Sequence, residues 1–221
     1  MKSLIFTAKS SFARFRCPYS TTSALTFLTI HPVAVKGLIG AIAGIDYKDL
    51  YEYTKDIKVG IQVLNKVYKD TQVFNLIPQK NNNKSHNFQS RIQFLRDVKY
   101  RIFISADEEK LDNLNNILKS KEFIFTPYLG CSEHIAKIEY EGIEDIKEVD
   151  SGNIDTMFPK KYANIDLDSE FEFYVDKIPT QNNNEREYIK YENIIFSPNN
   201  IVKVNEVNLF KKVGEYSVFF F

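Results

Sequence analysis

Two stretches of strict alternation do most to limit how this chain can fold. Ile57, Val59, Ile61 and Val63 are apolar at every second position, and so are Val98, Tyr100, Ile102 and Ile104. That period belongs to strands with one face buried. Stretches of helical period flank them. Val35, Leu38, Ile39 and Ile42 fall at i, i+3, i+4 and i+7, with Pro32 at the start and Gly44 at the end. Leu111, Leu114, Ile117 and Leu118 repeat the pattern behind Asp107, with acidic residues in the first turn and Lys119 and Lys121 in the last, as the helix dipole favours. Lys2 to Ala8 reads as a first strand, Val67 to Ile77 as an antiparallel neighbour of the second, and Ala136 to Tyr140 as a closing one. A short helix capped by Asp46 presents Tyr47, Leu50 and Tyr51. The order strand, helix, strand or hairpin, strand, helix, strand is the split βαβ pattern of an α+β, ferredoxin-like (RRM-like) domain over residues 1–142.

From residue 143 to 221 the pattern changes to short alternating stretches, such as Phe171, Phe173 and Val175, then Tyr216, Val218 and Phe220, between Asn- and Pro-containing turns. This part reads as a smaller β-rich domain or extension. The formal net charge is zero, but the signs are segregated. Residues 1–105 hold 16 Lys and Arg against 6 Asp and Glu, while residues 106–221 hold 13 against 23. A basic half of this kind suits a polyanion partner, or simply neutralises the acidic half within the fold. Cys17 and Cys131 are the only cysteines and lack C-x-x-C spacing, so neither a disulfide framework nor a zinc site is predicted, and no cofactor. No apolar run reaches the roughly 20 residues a membrane span needs. A soluble protein of the reducing cytoplasm is expected.

Three constellations carry possible chemistry. In the predicted loop SSFARFRCPYSTTS, Arg14 and Arg16 bracket Phe15, and Tyr19, Thr21, Thr22 and Ser23 follow. Guanidinium groups for phosphates, aromatic faces for unstacked bases and hydroxyls for the 2′-OH are the mixture that RNA contact requires. Such loops also fold back on their own domain. In HPVAVKGLIGAIAG, Gly37, Gly40 and Gly44 lie within an apolar helical stripe, which favours close helix packing over a phosphate loop. Lys36 near the helix start is more easily justified by a bound anion. In PYLGCSEH, Gly130 suits a positive φ, and the turn that includes Tyr128 and Ser132 offers N–H groups to a phosphate or serves structure alone. Gln79 to Asn87 has no apolar residue and is expected to project, with Lys80, Lys84, His86, Arg91 and Arg96 in and after it. Metal-independent RNA cleavage needs a general base and acid, which a Tyr/Lys/His set can supply. His86 nevertheless lacks an evident orienting group, His31 precedes Pro32 in a turn, and His134 begins a strand. No catalytic residue is assigned.

Three segments, FARFRCPYSTTSALTF at Phe12 to Phe27, PVAVKGLIGAIAGI at Pro32 to Ile45 and PYLGCSE at Pro127 to Glu133, resemble the fifth CRISPR-associated protein family. That family supplies the guide-RNA-capping subunit of Cascade complexes, and the likeness is to its type I-B branch. Residues after 143 match only in character. Val33 departs from the pattern, because relatives commonly carry Thr or Ser there. The resemblance implies an RRM-like core with a β-hairpin thumb between its second and third strands, here about residues 76–96. Its Lys80, Lys84, Arg91 and Arg96 would then lie along the RNA. It also implies binding of the 5′ handle of CRISPR RNA, contact with the backbone subunit and the large PAM-reading subunit, and an indirect relation to target DNA. Type I-C relatives are endoribonucleases with adjacent Lys and His. Here Ser85 separates Lys84 from His86 and no Lys-His dipeptide occurs, which favours a non-catalytic subunit over an enzyme of the same fold. A general RRM protein is the third reading, but KYRIFIS at Lys99 to Ser105 lacks its sheet signature.

Overall fold

The computed structural model describes residues 1–20, 24–76, 88–149, 152–164, 172–198, 202–204 and 207–221. The first part contains β1 (Lys2–Ala13), α1 (Pro32–Ala43), α2 (Leu50–Thr54), β2 (Lys58–Val63), β3 (Tyr68–Leu76), β4 (Phe88–Ser105), α3 (Glu108–Ser120) and β5 (Lys137–Glu148). The predicted order of strands and helices is therefore present. In the sheet, β5, β1, β4 and β2 are neighbours in that order, all antiparallel, and β3 pairs with the other part of β4. The fold is mixed α+β and mostly β.

Both predicted helices bury the faces their periods marked. Val35, Leu38, Ile39 and Ile42 of α1 join Leu111, Leu114 and Leu118 of α3 over Leu4, Phe6, Ile61, Ile102 and Ile104 of the sheet. At roughly 2 kcal/mol for each fully buried aliphatic side chain, this layer is the main source of stability. Asp107 caps α3 by accepting from the Lys110 N–H at 2.8 Å. Asp46 caps no helix: it accepts from Lys48 N–H in a turn, and α2 starts only at Leu50.

Three strands run longer than the sequence indicated: β1, its partner β4, and β5, which reaches Glu148 rather than ending near Tyr140. β1 continues to Ala13, so Lys9 to Ala13 is strand rather than loop. Beyond Ala8 its inward positions change from Leu4, Phe6 and Ala8 to Ala13, and the chain continues inward at Phe15 and Cys17. The partner strand changes in step. Tyr100, Ile102 and Ile104 face the helices, but past Asp97, which has φ 53°, the inward residue is Leu95. A simple period-2 reading cannot anticipate such a switch, because one left-handed residue re-aims every side chain after it.

The second face of the sheet is closed by the end of the chain. Residues beyond β5 form β6 (Asn153–Ile154), β7 (Phe158–Pro159), β8 (Tyr174–Asn182), β9 (Tyr188–Phe196), β10 (Val202–Lys203), β11 (Lys211–Val213) and β12 (Tyr216–Val218). β11 pairs with β5 at Ile146 to Glu148 and with β12, curling the sheet so that Val213 and Val218 cover Ile5 and Phe103. Gly60 permits the approach, because a Cβ there would run into Val218. Phe221 then exchanges backbone hydrogen bonds with Val59, at 3.0 and 3.3 Å, along the outer edge of β2. A separate sheet, β7-β9-β8, packs Ile178, Ile194 and Phe196 into the main core. No helix among the described residues is long and apolar enough to cross a membrane.

Candidate nucleic-acid interface

Three segments distant in sequence meet at one end of the sheet. After Ala13, which pairs with Leu95, the chain folds into a tight loop in which Arg16 bridges Thr26. The Phe27 N–H donates to the Phe15 carbonyl at 2.9 Å, and the Cys17 N–H to Leu25 at 3.0 Å. The loop is tied to the hairpin through Ala24, whose N–H donates to the Arg91 carbonyl at 3.0 Å and whose carbonyl accepts from Gln93 at 2.9 Å. It is tied to the 127–134 turn through Arg14, whose N–H donates to the Leu129 carbonyl at 3.2 Å. Gly130, at φ 85°, lies so close to the Arg14 carbonyl that a Cβ could not be accommodated. The positive φ expected of Gly130 is present, and its immediate reason is this backbone contact.

The candidate residues separate by place. Arg16, Arg91, Arg96 and Ser132 are exposed here, with Tyr19 at 66% and Tyr128 at 46% exposure. Arg96 Nε lies 3.6 Å from the Asp97 carboxylate. Arg14 is half-buried. Phe15 is a correction: at 2% exposure, edge-on to His31 and Tyr100, it is a core residue and offers no face to a base. The inward switch of β1 accounts for this. Thr21, Thr22, Ser23, Lys80, Lys84 and His86 lie outside the described residues. The hairpin strands are β3 and the outer part of β4, paired from Tyr68–Arg96 to Leu76–Phe88, so the arm begins before residue 76.

Lys36 and Gly37 occupy a different setting. Lys36 is a full turn inside α1, and burial lowers the pKa of its ammonium against the opposing influence of Asp56. Gly40 admits the Leu50 side chain and Gly44 ends α1 at φ 73°, in keeping with packing, whereas the Cα of Gly37 faces open space. The start of α1 is already satisfied. His31 Nδ1 accepts from the Ala34 N–H at 3.1 Å, so the hydroxyl missing at Val33 is not needed as a cap. His31 is 3% exposed, edge-on to Phe15, Phe27 and Tyr188.

Burial pushes the His31 pKa down to about 3, so the folded protein holds it neutral. The unfolded chain binds that proton near pH 6.5, and stability therefore falls as pH drops below that value. Between pH 6.5 and 5 the unfolding free energy is expected to fall by about 1.7 kcal/mol through this group, with the slope steepening toward about 1.4 kcal/mol per unit at the lower end. Urea titrations should show that slope removed in His31→Asn, which keeps a capping acceptor without the titration. Identical slopes in both proteins would show that His31 is not held neutral by the fold.

Sequence reasoning missed a set of aromatic rings on the outer face of the hairpin. Phe94 lies 6.3 Å from Phe12, 6.1 Å from Phe74 and 5.4 Å from the His134 ring. The FARFR motif had pointed to Phe15, but the extra strand residues put Phe12 outward instead. The usual RRM platform is not available: on the face opposite the helices, Ile5 and Phe103 are buried under Val213 and Val218. Arg101 on that face is engaged as well, with its Nε 2.6 Å from Glu141 and its guanidinium over the Tyr216 ring.

An α+β protein with a curled antiparallel sheet, a long hairpin and a basic loop bound to its root is the class these features define. The sequence model of the family described as CRISPR-associated protein (Cas_Cas5) matches residues 3–207, and the chain belongs to that family. The fold is also that of a CRISPR protein from Archaeoglobus fulgidus, at 15% identity and TM-score 0.54 over 99% of this chain and 98% of that one. A chain of a structure titled "CRISPR RNA-guided surveillance complex" is similar at 12% identity and TM-score 0.54, over 91% of this chain and 90% of its own. A third, titled "Crystal structure of Cas protein", is 18% identical at TM-score 0.43; this chain spans 58% of its length, too loose a likeness to argue from. No curated protein matches the sequence significantly.

Proposed function

We propose that this protein is a non-catalytic RNA-binding subunit of a type I CRISPR effector complex, of type I-B character, that caps the 5′ handle of the guide RNA. The observation that carries the reading is the junction of basic loop, hairpin and 127–134 turn, held by the bonds of Ala24 and Arg14. Arg16, Arg91 and Arg96 are exposed on the loop and the hairpin that meet there, with Tyr19 and Tyr128 exposed as well, in a member of the family. Phosphate neutralisation with aromatic faces is how single-stranded RNA is gripped. The covering of Ile5 and Phe103 on the second face supports this end, rather than the sheet, as the RNA surface. The strand order and the two helices on one face support a ferredoxin-like core, with residues 143–221 as an extension that completes it. Backbone and large PAM-reading subunits of Cascade are the proposed protein partners, in the cytoplasm, with target DNA contacted only through the complex.

The non-catalytic reading rests on the histidines. His31 is committed to capping α1, His134 is wedged against Phe12 and Phe94, and Ser85 separates Lys84 from His86. RNA that copurifies with the assembled complex should carry one defined repeat-derived 5′ tag, and the isolated protein should leave the cognate repeat intact in EDTA. Heterogeneous 5′ ends would defeat the capping role. Cleavage at one position, abolished by His86→Ala, would establish the endoribonuclease instead.

A further inference from the structure

We propose that Phe94, His134 and Arg14 form a pocket for one unstacked nucleobase at the root of the hairpin, a reading that rests on the RNA-binding function above. Four rings, Phe12, Phe74, Phe94 and His134, gather on the hairpin face opposite Leu95, with centroid separations of 5.4 to 6.3 Å. None of the four belongs to the buried clusters of the protein, and Phe74 is 37% exposed. Rings assembled outside a core leave apolar faces available to a flat apolar partner.

Two polar atoms belong to side chains at this group, that of His134 and that of Arg14, whose guanidinium acts on both His134 and the Cys131 thiol. His134 Nε2 and Arg14 Nε are shielded from solvent, yet neither has a hydrogen-bond partner among the described residues. Buried polar atoms are nearly always paired, so two orphans beside one aromatic group call for a ligand that supplies the partners. Burial chiefly, and the Arg14 charge in addition, hold the His134 imidazole below its ordinary pKa while Glu133 opposes them. The pair then offers a neutral imidazole nitrogen and a guanidinium N–H. A nucleobase matches both parts, with a π face for Phe94 and Phe74 and edge atoms for His134 and Arg14. Arg96, directly opposite Phe12 in the ladder and exposed, is placed for the phosphate of the same nucleotide.

The test is an abasic scan. Single-stranded repeat RNA carrying one abasic site at each position in turn is titrated against the full-length protein. One position should cost about tenfold in affinity, the scale of a single lost stack. His134→Gln and Phe94→Leu should cut that penalty to about twofold while leaving the affinity for the abasic RNA unchanged. Should Phe94→Leu fail to fold, the exposed Phe74→Leu takes its place. A flat scan, or a penalty that persists in the variants, would overturn the pocket and leave RNA binding standing. Such a result would point to a protein side chain as the occupant. Absence of any RNA binding would overturn the functional reading and the pocket with it.

Discussion

Replacing Arg16, Arg91 and Arg96 together with Ala is expected to lower the slope of log affinity against log salt by about two units. Each phosphate contact on single-stranded nucleic acid releases condensed counterions and contributes about 0.7 to that slope. All three side chains are exposed on the loop and hairpin, so the fold should tolerate their loss and the thermal midpoint should hardly change. Arg96 has the Asp97 carboxylate at 3.6 Å, a surface pair of little energetic weight that RNA phosphate can displace. The control removes Lys160, Lys161 and Lys177, which are also exposed but belong to the C-terminal half. Its slope should equal that of the unaltered protein. Equal losses in both triplets would mean that charge in general, rather than this end of the molecule, attracts the RNA.

Gly130→Ala should destabilise the protein by about 3 kcal/mol or more, a large effect for one methyl group at a turn. Two penalties combine. At φ 85° an L-residue is strained, and the added Cβ meets the Arg14 carbonyl, a backbone atom with no rotamer to escape into. Gly130→Asn separates them, because Asn tolerates positive φ but brings the same Cβ. Urea denaturation should find both variants similarly weakened, since contact dominates. If Asn restores most of the stability, backbone strain is the larger cost and the turn can withdraw from Arg14. The site follows the fold here: displacing Arg14 from the Leu129 carbonyl should also loosen the loop that carries Arg16.

The His31 setting shows why some site features escaped a linear reading. From its neighbours His31 looked like a turn residue before Pro32. Its capping bond to Ala34 is local, and a cap at N-cap spacing was open to detection. Its enclosure by Phe15, Phe27 and Tyr188 was not, because Tyr188 comes from β9. Likewise, Phe15 carried the right chemistry for stacking in FARFR, and only the longer β1 shows that Phe12 takes the outward position.

By itself the sequence determined the order of strands and helices, the buried faces of α1 and α3, the Asp107 cap and the membership in the family. These are properties of local period and short motifs, which neighbouring residues establish among themselves. Tertiary structure alone decided that Asp97 reverses the inward side of β4, that β11 and β12 cover Ile5 and Phe103, and that Arg14 meets Gly130 and also Cys131, the latter 117 positions away. Those outcomes depend on packing between segments far apart in the chain. A period reports which side of an element is apolar, and only the packed chain decides what that side will meet.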